Sequence, residues 1–118
     1  MLTKQVHLQK ATENEFLASK LDLTIPSAPN WAIIMVFYAA VHYVGAYFFT
    51  RGKNYRLHID RDSAIQRDIQ IGTIWRSYQR LKDSSENARY EDVFFTPNQY
   101  QLMLSNLHAI KGVITPLV

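Results

Sequence analysis

The chain has 118 residues, 47% of them hydrophobic and 19% charged, with 4 glycines and 4 prolines. That balance builds one globular domain over 1–118 and excludes an intrinsically disordered chain. The absence of cysteine excludes disulfides, zinc–thiolate sites and thiol nucleophiles. The net charge of +3 is unevenly spread: residues 51–82 carry eight cations against three anions, while the rest of the chain is slightly acidic. Such an excess suits either a phosphate-facing surface or solvated helix faces.

The residues from Met1 to His7 turn polar too soon for a secretory signal, so a cytoplasmic location is expected. A first amphipathic helix is expected to run to about Leu21. It starts near Thr3 or at Thr12-Glu13-Asn14-Glu15, which has capping-box form. Pro26 and Pro29 then mark a connection. Asn30 is the expected N-cap of a very apolar helix over 31–51, with Gly52 as its stop. The length of this helix and its lack of charge before Arg51 also fit a membrane span. His42 and the tyrosines dilute that alternative, and the remaining helices need a core to pack on, so no membrane is expected. Ala32, Ala39, Ala40, Gly45 and Ala46 would let neighbouring helices come close.

A basic loop over 53–57 precedes a third helix that starts between His58 and Ser63 and is interrupted by Gly72. Helical periodicity resumes over 73–82, and Asp83-Ser84-Ser85-Glu86 predicts a break or a new cap. Thr96-Pro97 opens a last helix whose Tyr100, Met103, Leu104, Leu107, Ile110 and Ile114 form one apolar stripe. The expected fold is all-α, four long elements with at least one break.

No strong catalytic or cofactor motif is present: there is no glycine-rich phosphate loop, His-Glu-x-x-His, EF-hand loop or Gly-x-Ser-x-Gly. No cofactor is expected, and the four histidines are too widely spaced for a metal site. His42, alone among apolar residues and one turn from Tyr38, is either a satisfied buried imidazole or a catalytic one. Its expected partner is Tyr38 or a side chain from 78–90. His58 and Arg61 share a helix face beside Arg56, a pairing that suits phosphodiester chemistry: imidazole moves a proton while guanidinium steadies the phosphoryl oxygens. The alternative is a helix-start histidine beside a solvated arginine. Arg89, next to Tyr90, could grip an anion or pair with Glu86, Glu91 or Asp92. The catalytic candidates are therefore His58, Arg61 and His42, and the anion-binding candidates Arg56, Arg61, Arg89, Tyr90 and Tyr38. His58, Arg61 and Arg89 are expected to converge on one concavity. Tyr43, Tyr47, Phe48 and Phe49 are expected in the core.

Asn30-Trp31-Ala32 leading into Phe37-Tyr38-Ala39-Ala40-Val41-His42, then Gly52 and a basic stretch to His58-Ile59-Asp60-Arg61, then Tyr78-Gln79-Arg80-Leu81 and Ser85-Glu86-Asn87-Ala88-Arg89-Tyr90, resembles small bacterial and archaeal HEPN-domain proteins. Helix 1, with His7-Leu8 before Ala11 and Asn14, fits as well. The resemblance implies an up-and-down four-helix bundle with an additional short helix, in a homodimer. It also implies one of two roles: a module that binds RNA, nucleotides or a partner protein, or a metal-independent RNA endonuclease paired, as a toxin, with a nucleotidyltransferase-like antitoxin. The family's nuclease signature is an arginine, then four to six residues, then a histidine, near the start of a late helix. Arg51 and His58 have that spacing in letters, but Gly52 interrupts them and they sit across a helix end, and neither Arg80 nor Arg89 is followed by a histidine at that distance. This puts the nuclease and its catalytic residues in question.

Overall fold

The structure is a computed structural model and describes residues 2–90 and 92–118. Among these residues it is all-helical: α1 (Lys4–Ser19), α2 (Ala28–Thr50), α3 (His58–Arg67), α4 (Trp75–Ala88) and α5 (Pro97–Ile114). Single 3-10 turns lead into α4 and follow α5. Helix α2 is the hub and packs against α1, α4 and α5, whereas α3 lies to one side against α4 and the 3-10 turn at Gly72–Ile74.

The apolarity of α2 is explained by that position. Ala32, Ile33, Val36, Phe37, Ala39, Ala40, Val44 and Tyr47 are all buried, and each buried Ile or Phe contributes about 1.5–3 kcal/mol. Its small residues admit α1, which brings the buried Ala11 and Ala18. One polar knot ties three helices together. The Tyr43 hydroxyl donates to Glu15, Lys111 sits 3.3 Å from both oxygens of that carboxylate, and its ammonium lies over the Tyr43 ring. Burial, followed by the Glu15 contact, pushes the Tyr43 phenol far above its usual range.

Helix ends follow side-chain chemistry. Thr3 caps α1, its Oγ1 accepting from the Val6 amide at 3.3 Å. Thr12 instead lies inside the helix and donates to the carbonyls of Leu8 and Gln9, so the start at Thr12 is excluded. Helix α2 starts three residues before the expected 31, with Ser27 at the cap position and Pro29 in its first turn. Asn30 is therefore not a cap. Its side chain crosses the core: Nδ2 donates to the carbonyls of Ala88 (3.0 Å) and Val93 (2.6 Å), and Oδ1 accepts from the Phe95 amide (2.9 Å). This clamp fixes the connection from α4 to α5.

At the other end of α2, Gly52 adopts φ +72°. The amides of Gly52 and Lys53 donate back to Phe49 and Phe48, closing a Schellman turn that only glycine enters without strain. The 53–57 loop is thereby folded over the end of α2 and pinned where Tyr55 packs edge-on against Phe48, ring centroids 4.9 Å apart. Helix α4 runs unbroken to Ala88, against the break expected at 83–86. Ser85 lies fully buried between Leu81 and Ala88 on the inner face, so burial outweighs the local preference of Asp and Ser for a cap. Helix α5 opens at Thr96-Pro97 as expected, and Gln99 completes a capping box there, Thr96 Oγ1 accepting from Gln99 N and Gln99 Oε1 from Thr96 N.

Candidate functional site

The Schellman turn and the loop it directs create a cavity of about 350 Å3 where the start of α1, the outer face of α2, the 53–57 loop and α3 meet. Its chemistry comes from His7, His42, Lys53, Arg56 and Arg61, with Leu2 on the outer wall and Gly45 and Phe48 also lining it. No carboxylate lines it among the described residues. The two ion pairs found among the described residues, Lys82–Asp62 and Lys111–Glu15, both lie elsewhere. Lys53, Arg56 and Arg61 thus face the cavity without an anionic partner.

His7 and His42 meet Nδ1 to Nδ1 at 3.1 Å, so one ring donates and the other accepts. Burial, then the charges of Arg61 and Lys10, lowers the pKa of His7. His42 is lowered to about 4, first by burial and then by His7, Lys10 and Arg61. Arg61 is held at both terminal nitrogens: Nη1 donates to His58 Nδ1 at 3.0 Å and Nη2 to the Tyr55 carbonyl at 3.1 Å. His58 is lowered by burial first, then by Arg61 and Lys82, with Asp62 opposing and Arg89 adding a little. Burial first and neighbouring cations second thus lower all three imidazoles, and an arriving anion would offset the second contribution.

The expected residues divide into three groups. His42, Arg56 and Arg61 line the cavity together, and His58 adjoins it through Arg61. Tyr38 and Arg89 pair beside it on the outer face of α2, Arg89 Nη2 donating to the Tyr38 hydroxyl at 3.0 Å with its guanidinium 5.8 Å from the ring centre. Arg89 makes no ion pair with Glu86 or Asp92, and Glu91 lies outside the described residues. Tyr90 is set apart, lining a separate groove with Trp31 and Phe94.

The partner of His42 is His7 from α1, not Tyr38 or a side chain of 78–90. The sequence signal for it was Gly45. A Cβ there would lie 2.6 Å from His7 Cε1, because the imidazole rests directly on the glycine. Gly45→Ala should therefore push the two rings apart. Its gain of about 1 kcal/mol in helix propensity offsets part of the lost packing. Thermal unfolding should move little, while the histidine ring NMR signals and anion affinity change together; unchanged ring signals would contradict the contact.

Near His58, the α3–α4 seam holds the partly buried Lys82–Asp62 pair together with three oxygens that have no protein partner, Asp62 Oδ1, Tyr78 Oη and Ser85 Oγ. Burial pushes the Tyr78 phenol up to about 12. No group of three or more His, Cys, Asp or Glu side chains placed to hold a metal occurs among the described residues. No protein-family profile, curated protein or solved structure matches the chain.

Proposed function

We propose that this chain is a HEPN-like module that binds RNA or a nucleotide through its phosphate, in the cavity lined by His7, His42, Lys53, Arg56 and Arg61. One observation carries the reading: three cations without a carboxylate partner and two imidazoles face a single concavity. Guanidinium donors suit phosphoryl oxygens in a bidentate or bridging grip. The loop cations Lys53 and Arg56 add screened, sequence-independent attraction. The all-helical architecture, with α2 central and a short α3, is compatible with the up-and-down bundle that the HEPN resemblance implies. A homodimer and a nucleotidyltransferase-like antitoxin partner belong to the same family reading.

The decisive test is titration of the full chain with adenosine 5′-monophosphate and with inorganic phosphate at several salt concentrations. Binding should weaken as salt rises, and the absence of binding of either ligand would sink the reading. A pH dependence follows from the imidazoles. The free cavity keeps His7 and His42 neutral, and a bound phosphate raises their affinity for protons. Affinity should therefore increase as the pH falls below 7, with proton uptake on binding detectable by calorimetry in buffers of different ionisation enthalpy. Stability moves the opposite way. His42 takes its proton near 6.5 when unfolded and near 4 when folded, so stability is lost as the pH falls from 6.5 to about 4.

A second reading, metal-independent RNA cleavage, is favoured by the His7–His42 contact specifically. A neutral imidazole can take the proton of a ribose 2′-hydroxyl as that oxygen attacks phosphorus and the bond from phosphorus to the 5′-oxygen breaks, the leaving oxygen taking a proton from solvent, while Arg61 stabilises the charge gathering on the phosphoryl oxygens. RNA cleavage in excess chelator that is lost in His42→Ala and Arg61→Ala would establish it. Loss in His58→Ala with His42→Ala still active would move the chemistry to the other side of Arg61.

A further inference from the structure

A second cavity of about 570 Å3 lies on the far side of the 53–57 loop and shares Phe48, Lys53 and Tyr55 with the first. Its cations are Arg51, Lys53 and Arg67, and none forms an ion pair among the described residues. The one carboxylate on its wall, Asp68, is already engaged. It accepts from the amides of Gln70 and Ile71 and from the Tyr47 hydroxyl and forms no ion pair with the arginines, so the wall carries three cations against one anion. Arg51 lies over the Tyr47 ring, 5.4 Å from its centre, so its guanidinium is oriented rather than free. At the lip stands Ile69, entirely exposed, an apolar surface with nothing packed on it.

We propose that the two cavities form one continuous track for a single-stranded nucleic acid, with Lys53 as the saddle between them. One phosphate sits with Arg61 and the histidines, the strand crosses Lys53, and the neighbouring phosphates meet Arg51 and Arg67 with a base against Ile69. The chemistry fits a single strand and not a duplex. The cations line both sides of a narrow loop, so a flexible backbone that bends across the loop can bring successive phosphates to them, which a straight, rigid double helix cannot do. This inference rests on the phosphate-binding reading above and extends it from one phosphate to a strand.

The test uses the full chain with adenosine 5′-monophosphate, single-stranded oligoadenylates of increasing length, and a duplex of matched length. Affinity should rise with each added nucleotide until the track is filled, and the duplex should bind more weakly than the single strand. Arg51→Ala and Arg67→Ala, both at exposed positions, should each lower oligoadenylate affinity about fivefold to tenfold and flatten its salt slope by about one unit. Binding of the monophosphate should be unchanged in both variants. Oligomers that bind no better than the monophosphate, equal binding of the duplex, or Arg51 and Arg67 variants that hold the oligomer as the unaltered chain does would each overturn the track while leaving the first cavity intact. Failure of the unaltered chain to bind even the monophosphate would overturn both.

Discussion

Asn30→Ala is expected to destabilise the domain by about 3 kcal/mol, the largest loss of stability for a single side chain outside the apolar core. The asparagine is 7% exposed and makes three hydrogen bonds to backbone groups of Ala88, Val93 and Phe95. Its removal leaves those groups to find new partners in a partly buried setting, and each orphaned group costs about 1–3 kcal/mol, reduced where water can enter. Asn30→Asp separates the contributions. It keeps an acceptor for the Phe95 amide but removes both donors and places a charge beside two carbonyls, so it should be at least as damaging. Urea unfolding of both variants measures this. A loss under 1 kcal/mol in both would show that the connection between α4 and α5 is held by something else. Because the clamp ends one residue before Arg89, its loss should also release the Arg89–Tyr38 contact.

The largest functional effect is expected from Arg61→Ala, about a tenfold to hundredfold loss of phosphate affinity, the worth of one charge-assisted contact of about 1.5–3 kcal/mol. Arg61→Lys should recover only part of it. The guanidinium holds His58 Nδ1 and the Tyr55 carbonyl from two separate nitrogens while the side chain lines the cavity, and a single ammonium cannot keep that geometry. Binding isotherms for the two variants beside the unaltered chain decide the matter. Full affinity in Arg61→Lys would reduce the arginine to a point charge, and full affinity in Arg61→Ala would remove it from the site.

Features governed by local chemistry were legible in the sequence. The helix start at Thr96-Pro97, the stop at Gly52 and the three-residue spacing of His58 and Arg61 each depend on residues within one helical turn, and each is present in the structure. The burial of α2 was legible because a helix without charge must be covered. What was not legible depended on partners far along the chain. Asn30 has the composition of a cap, yet it bonds residues 58 to 65 positions away. Ser85 belongs to a sequence that suggests a break, and only its position facing the core keeps α4 continuous. His7 sits on a helix with a weak apolar pattern, and nothing in that pattern aims it at His42 35 residues later. Gly45 carried the one hint, that something approaches the helix closely, without saying what.

Leu2 stands on the outer wall of the histidine cavity, five residues before His7. Anything fused ahead of it therefore emerges at the mouth of the site. A polyhistidine purification handle placed there would set extra imidazoles, and any nickel they carry, beside the two imidazole rings of the proposed phosphate site. Titrations made with such a preparation would report the handle as well as the protein. The handle belongs after Val118, a residue that lines neither cavity of the track.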